Sequence, residues 1–187
     1  MTTRLHKALF PILRCLSDGA FHSGQALALE FQISRASVCN LLNQAEAMGL
    51  RIHAVRGRGY RIPRSIEWLD SMVVDTCLAD APHAYSVNIL DSVDSTNSAL
   101  IKAALNGASD GSVLCAEHQR AGKGRRGRAW QAALGGSLTF SVLWRFDRGL
   151  QSVSGLSLAV GLAVARAVNR HSRYPARLKW PNDVLVD

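Results

Sequence analysis

Cysteine is scarce and scattered. Four thiols, Cys15, Cys39, Cys77 and Cys115, are spread over 187 residues without a CxxC pair. That spacing argues against a disulfide framework or a zinc site and reads as buried, reduced thiols in a cytoplasmic protein. Long apolar runs are missing too. The most apolar stretch, LSLAVGLAVA, is about ten residues, half of the ~20 that a membrane-spanning helix requires. Basic residues precede ALFPIL, but Arg14 interrupts the run and no small-residue cleavage site follows, so the N-terminus reads as a helix and not a signal peptide. Acidic residues are the minority charge, 14 against 22 Lys and Arg, for a net charge of +8. Disorder is not expected, because 48% of the chain is hydrophobic.

The positive charge is unevenly placed. Residues 1–64 carry nine Lys/Arg against three Asp/Glu, residues 65–112 one against seven, and residues 113–187 twelve against four. Two basic modules flanking an acidic stretch suit polyanionic partners. In the first module Leu5, Ala8, Leu9, Ile12, Leu13 and Leu16 recur at helical spacing up to SDG, with Pro11 inside the pattern predicting a kink. HSGQALALEF predicts a short helix after Ser23. Ser34 is placed to N-cap a third helix with an apolar stripe of Val38, Leu41, Leu42, Ala45 and Met48.

That order suits a helix-turn-helix, whose reading helix would offer Arg35, Ser37 and Asn40 to base edges. RIHAV and YRI flank RGRG, a wing that would carry Arg56 and Arg58 along phosphates. A small helical bundle with a solvated basic hairpin is the competing reading. Residues 65–82, with Ile66, Leu69 and Val73 at helical spacing, read as a connector helix.

Beyond residue 82 strands and helices mix: VNILDSV, SVLCAEHQ, SLTFSVLW and ARLKW as strands, STNSALIKAALNG as a helix capped by Asp94 or Ser95. SVSGLSLAVGLAVARAVNRHS is apolar nearly all round, which predicts a deeply buried helix. The fold class is α+β: an N-terminal winged helix-turn-helix at 1–64, then a mixed-sheet domain at 83–187.

Three polar clusters interrupt these elements. DSTN sits at a strand-to-helix junction, where free amides and short polar side chains can hold a small polar head group, or simply cap the helix. AGKGRRGRAW threads Lys123, Arg125, Arg126 and Arg128 between glycines and closes with Trp130. It matches GxGxxG in form, yet no long helix follows Gly127, and the lysine of GKG lacks the Ser or Thr of a Walker A loop. Such a loop can wrap a phosphate with backbone amides and guanidinium forks, or remain solvated. KWPNDV sets Lys179 and Asp183 on either side of a Trp-Pro turn, a cation for phosphate and a carboxylate for a metal or a second lysine.

Together the order DSTN, AEHQRAGKGRRGRAW, KWPND resembles the biotin–protein ligase family. The winged helix ahead of it, with FHSG, ISRASV and GRGY, is similar to the bifunctional subclass that also represses the biotin operon. The resemblance implies ATP-dependent formation of biotinyl-5′-adenylate and transfer to a lysine of biotin carboxyl carrier protein. It also implies operator DNA binding, a homodimer in the adenylate-bound state, and Mg²⁺ with the nucleotide. It assigns biotin to Ser95, Thr96, Asn97, Gln119, Lys123, Gly124 and Arg125, and the adenylate to Arg126, Arg128 and Trp130. Lys179 and Asp183 fall in its third motif. Position 123 is lysine where the family more often has arginine. The family's further lysine, sheet strands and small C-terminal β-barrel have no counterpart before Asp187. The expected catalytic domain is therefore incomplete, and a DNA-binding module without ligase activity is the alternative function.

Overall fold

The computed structural model describes residues 2–147, 149 and 153–186, and divides into two compact units, 1–144 and 145–187. The first unit opens with three helices, α1 (Thr2–Leu16), α2 (Gly24–Glu30) and α3 (Arg35–Ala47), followed by the hairpin β1 (His53–Val55) and β2 (Gly59–Arg61). The side chain of Leu5 lies outside the described residues, and α1 runs on through Pro11. Ser23 and Ser34 cap their helices as their residue type dictates, Ser23 Oγ accepting from Ala26 N and Ser34 Oγ from Ser37 N, both at 3.0 Å. Ile12, Leu13 and Leu16 of α1 meet Leu27, Val38, Leu41 and Ile62 in one fully buried core. At about 1.5–3 kcal/mol for each fully buried aliphatic side chain, this cluster is what holds three short helices together.

The connector departs from expectation. Its helix, α4, spans only Ser71–Leu78. Asp70 stops it from starting earlier, its carboxylate accepting from Met72 N at 2.8 Å and Val73 N at 3.1 Å. Ile66 and Leu69 precede the helix in irregular chain, and Val73 points to solvent. The apolar spacing had a different cause: Ile66 is drawn into the winged-helix core, where Leu134 from the second half of the unit joins it.

Strands β3 (Ser86–Val93), β4 (Ser112–Gln119) and β5 (Thr139–Val142) then form a mixed sheet, β3 parallel and β5 antiparallel to the central β4. The right-sized link for the parallel pair is α5 (Thr96–Leu105), which packs on β4 and β5. Its N-cap is Ser95, settling the choice left between Asp94 and Ser95. Of the cysteines, only Cys115 is buried; Cys15 is half-buried, and Cys39 and Cys77 are exposed, against the expectation of buried thiols. Cys39 lies on the solvent face of α3, opposite its buried Val38, Leu41, Leu42 and Ala45, and Cys77 lies on α4, which buries no residue.

The second unit holds α6 (Leu156–His171) and the antiparallel hairpin β6 (Ala176–Lys179) and β7 (Asp183–Val186). Residues 150–152, where the expected helix begins, lie outside the described residues. The deep burial expected of α6 is not found: Gly161 and Ala165 are buried, while Leu156, Leu158, Val160, Leu162 and Val164 are exposed. Among the described residues of its unit the helix packs on a two-stranded ribbon, which covers a single stripe. Gly161 marks the contact, since a Cβ there would stand 2.7 Å from Leu178 Cδ2.

Candidate functional site

The C-terminal ends of β3 and β4 converge on the start of α5, the usual place for a ligand crevice in an α/β crossover. Ser95 and Thr96 are both buried there, each 3% exposed. Thr96 donates twice to one atom, its N at 2.7 Å and its Oγ1 at 3.1 Å from Gln119 Oε1. With that proton committed, Ser141 on β5 must be the donor in its 2.9 Å bond to Thr96 Oγ1. The consequence for Gln119 is chemical: its oxygen is engaged, so its NH₂ is the face left for a ligand. Arg120 clasps the same corner, with Nε 2.8 Å from Asp94 Oδ1, and the backbone N of Ala121 donates to Asp94 O at 2.8 Å.

The arginine–glycine stretch leaves this corner as a small closed hairpin. Gly122 O accepts from Trp130 N at 2.9 Å, Lys123 bridges Ala129, and Gly124 N donates to Arg128 O at 2.7 Å. Its tip, Arg125–Gly127, is a single 3₁₀ turn with Arg126 at φ 57°, so the GxGxxG form opens no dinucleotide-binding helix. Gly122 is required by crowding: a Cβ would come within 2.5 Å of Trp130 O and 2.9 Å of Gln119 Nε2. Arg125, Arg126 and Arg128 are exposed on the hairpin, and Gly124 is half-buried. Lys123 joins the hairpin through its backbone bridge to Ala129, so the lysine-for-arginine departure leaves the hairpin's shape untouched.

Between corner and hairpin lies a cavity of about 200 Å³, lined by Ser95, Thr96, Asn97, Gln119, Lys123 and Trp130, with Leu138, Thr139, Phe140 and Ser141 from β5 and the turn before it. Sequence reasoning missed this β5 wall. The hydroxyls of Thr139 and Ser141 at strand period were its one signal. The cavity combines fixed hydrogen-bonding groups with an apolar wall, which suits a ligand with a polar head and an aliphatic body. On the residue of β4 just before Gln119, burial and then Arg120 hold the His118 imidazole below its ordinary pKa, keeping it neutral. Buried Glu117 accepts from Leu69 N at 2.8 Å, which ties the connector to the strand that carries Gln119.

Lys179 and Asp183 lie in the second unit, where they are register partners in the β6–β7 hairpin, both exposed. Asn182 Nδ2 donates to Asp183 Oδ1 at 3.1 Å. Among the described residues no three His, Cys, Asp or Glu side chains are placed to hold a metal ion.

The winged-helix module presents a separate groove, lined by Gln25, Arg35, Arg56, Gly57 and Tyr60 among others. Arg35, Asn40 and Arg56 are exposed. Ser37 is committed, its Oγ 2.9 Å from Ser34 Oγ, and serves the cap more than a base edge. Arg58 stacks 4.3 Å over Phe21, with Arg61 beside it at 4.8 Å, so the wing's cations are stiffened by an aromatic face. Gly59 lets the wing approach the segment just before α2, where a Cβ would collide with the His22 backbone.

Comparison with known proteins places both parts. The model of the biotin/lipoate A/B protein ligase family matches residues 89–187, and an HTH-domain model matches residues 9–61. The bifunctional ligase/repressor BirA of Salmonella typhimurium is 34% identical over 175 residues, covering 94% of this chain and 53% of that protein. The biotin–[acetyl-CoA-carboxylase] ligase of Mycobacterium tuberculosis is 44% identical over 105 residues, covering 54% and 40%. Among solved structures, the Aquifex aeolicus biotin protein ligase in complex with biotin and ATP is 36% identical with a TM-score of 0.46, over 55% of this chain and 42% of that one. The chain thus spans about half the length of the bifunctional relatives it matches.

Proposed function

Because the chain belongs to the biotin/lipoate A/B protein ligase family, we propose that its β3–β4–α5 corner activates biotin with ATP and that its winged helix represses transcription at a biotin operator. The observation that carries this reading is the cavity in which Ser95, Thr96 and Gln119 meet the arginine–glycine hairpin. Asn97 and the Gln119 NH₂ hold the polar head of biotin there, and Phe140 and Leu138 flank its aliphatic chain. Lys123, Gly124 and Arg125 bring its carboxylate toward the α-phosphate of ATP. Two anions must meet, so Arg126 and Arg128 screen the approach while the carboxylate oxygen attacks and pyrophosphate leaves. Trp130 lies against the adenine when the hairpin closes over biotinyl-5′-adenylate, keeping water from the mixed anhydride. A lysine amine of biotin carboxyl carrier protein then takes the biotinyl group and releases AMP. The β6–β7 hairpin of the second unit offers Lys179 as a cation for phosphate and Asp183 as a carboxylate for a metal or a second lysine.

Mg²⁺ is expected with the nucleotide, held mainly by phosphates and water as that ion prefers. The protein offers no clustered donor set among its described residues. The domain scheme is a DNA-binding module at 1–64, a connector at 65–82 and ligase sequence at 83–187. Homodimerisation in the adenylate-bound state links biotin supply to repression. No helix among the described residues is long and apolar enough to cross a membrane, which suits a cytoplasmic site of action.

The test is biotin-dependent exchange of pyrophosphate into ATP by the 187-residue chain. Exchange supports adenylation by these residues; folded protein without exchange favours the second reading, a DNA-binding module without ligase activity. The Arg35–Arg56 groove independently supports DNA binding. A gel shift whose affinity drops steeply with salt is the expected result, and no shift at low salt refutes it.

A further inference from the structure

Away from both sites, the end of α1 and the turn after it bring a thiol, an imidazole and a carboxylate into line. Cys15 Sγ lies 3.6 Å from His22 Nδ1. On the far side of the ring, His22 Nε2 lies 3.1 Å and 2.9 Å from the two carboxylate oxygens of Asp18. Asp18 is itself fixed, its Oδ1 accepting from Ala20 N at 2.8 Å. That bond and His22 hold its carboxyl below the ordinary carboxylate range, so it is ionised and can only accept. Nε2 therefore carries the ring proton in neutral His22, and the Nδ1 lone pair faces the thiol. The His22 backbone is anchored, because its N donates to Tyr60 O and its carbonyl accepts from Tyr60 N, both at 2.9 Å.

Metal binding does not explain the arrangement. Thiol and carboxylate approach opposite nitrogens of one ring and share no common point between them, and no metal cluster occurs among the described residues. Burial, with the Glu30 and Asp18 carboxylates, pushes the Cys15 thiol above its ordinary pKa, so the resting group is a neutral thiol. Such a thiol reacts only if a base takes its proton as it attacks.

We propose that Cys15, with His22 as base and Asp18 as its orienting group, is a thiol-modification site in the winged helix that accepts small disulfides. Cys15 passes its proton to His22 Nδ1 and its sulfur attacks one sulfur of the disulfide. A Cys15–S–S bond forms, the original S–S bond breaks, and the departing thiolate takes the proton back from His22. Cys15 packs against the winged-helix core, so the adduct displaces His22 and, through its two bonds to Tyr60, the wing. Only this last consequence rests on the DNA-binding reading.

The probe is 5,5′-dithiobis(2-nitrobenzoate) with the full chain, each labelled cysteine quantified by peptide mass spectrometry, and exposed Cys39 as internal reference. Half-buried Cys15 is expected to label at least as fast as Cys39. His22→Gln should slow Cys15 about tenfold or more, the low side of what positioned bases supply, and leave Cys39 unchanged. Asp18→Asn, at an exposed position where the amide oxygen keeps the bond to Ala20, should slow Cys15 by less. Cys15 slower than Cys39 in the unaltered chain overturns the proposal. So does a Cys15 rate unaffected by His22→Gln or, if that variant is unfolded by circular dichroism, by Asp18→Asn. Loss of the DNA gel shift on labelling supports the wing consequence, and an unchanged shift removes that consequence alone.

Discussion

Thr96→Val is the sharpest probe of the corner, because it keeps the shape and deletes one hydroxyl. Thr96 is 3% exposed, so water cannot replace what is lost. Two bonds go, the donation to Gln119 Oε1 at 3.1 Å and the acceptance from Ser141 at 2.9 Å, while the 2.7 Å bond from Thr96 N to Gln119 survives. Each side-chain hydrogen bond contributes about 0.5–1.5 kcal/mol net, so the variant should be destabilised by roughly 1–3 kcal/mol. Ser141→Ala should remove the Ser141 share of that, and the double variant should show a coupling of about 0.5 kcal/mol or more. Urea unfolding of the four proteins measures both quantities. On the proposed function, Thr96→Val should raise the KM for biotin in pyrophosphate exchange and change kcat little, because a contact made alike before and during reaction alters binding alone. Additive single variants, with no measurable coupling, would refute the Ser141–Thr96–Gln119 relay.

The other expectations concern distinct parts of the chain. Gly122→Ala forces a Cβ to 2.5 Å from Trp130 O, and overpacking of that kind costs about 1–3 kcal/mol; trypsin should cut the hairpin arginines faster than in the unaltered chain. Leu134→Ala opens a cavity in the winged-helix core at about 2–5 kcal/mol, so its loss should appear in the gel shift even though residue 134 is far from the groove in sequence. Arg35→Ala should lower the slope of log affinity against log salt by about one if the contact is to phosphate, or flatten base preference if it is to a base edge. For Asp18 the folded pKa lies below the ordinary 3.8, so its contribution is present above pH 3.8 and is lost as pH falls through the folded value. Acid unfolding of Asp18→Asn should lack that segment of the pH dependence.

Most of the elements were legible because they obey local rules. Ser23, Ser34 and Ser95 cap helices that start where a short hydroxyl precedes an apolar period. GRG between two short β-prone runs made a wing for the same reason, glycine alone tolerating the turn. The candidate site was legible only as a constellation, since DSTN by itself is an ordinary cap and a basic loop is ordinarily solvated.

What the amino-acid order determined alone is thus the set of caps, turns and periods, whose physics acts within about four residues. Tertiary structure decided the rest. It pulled Ile66 out of an apparent helix and into a core with Leu134, and left α6 with one buried stripe. It also placed Ser141 against Thr96 and aligned Cys15, His22 and Asp18. Those outcomes depend on which distant surfaces meet, and burial and buried hydrogen bonds are energies of the meeting, with no local pattern to announce them.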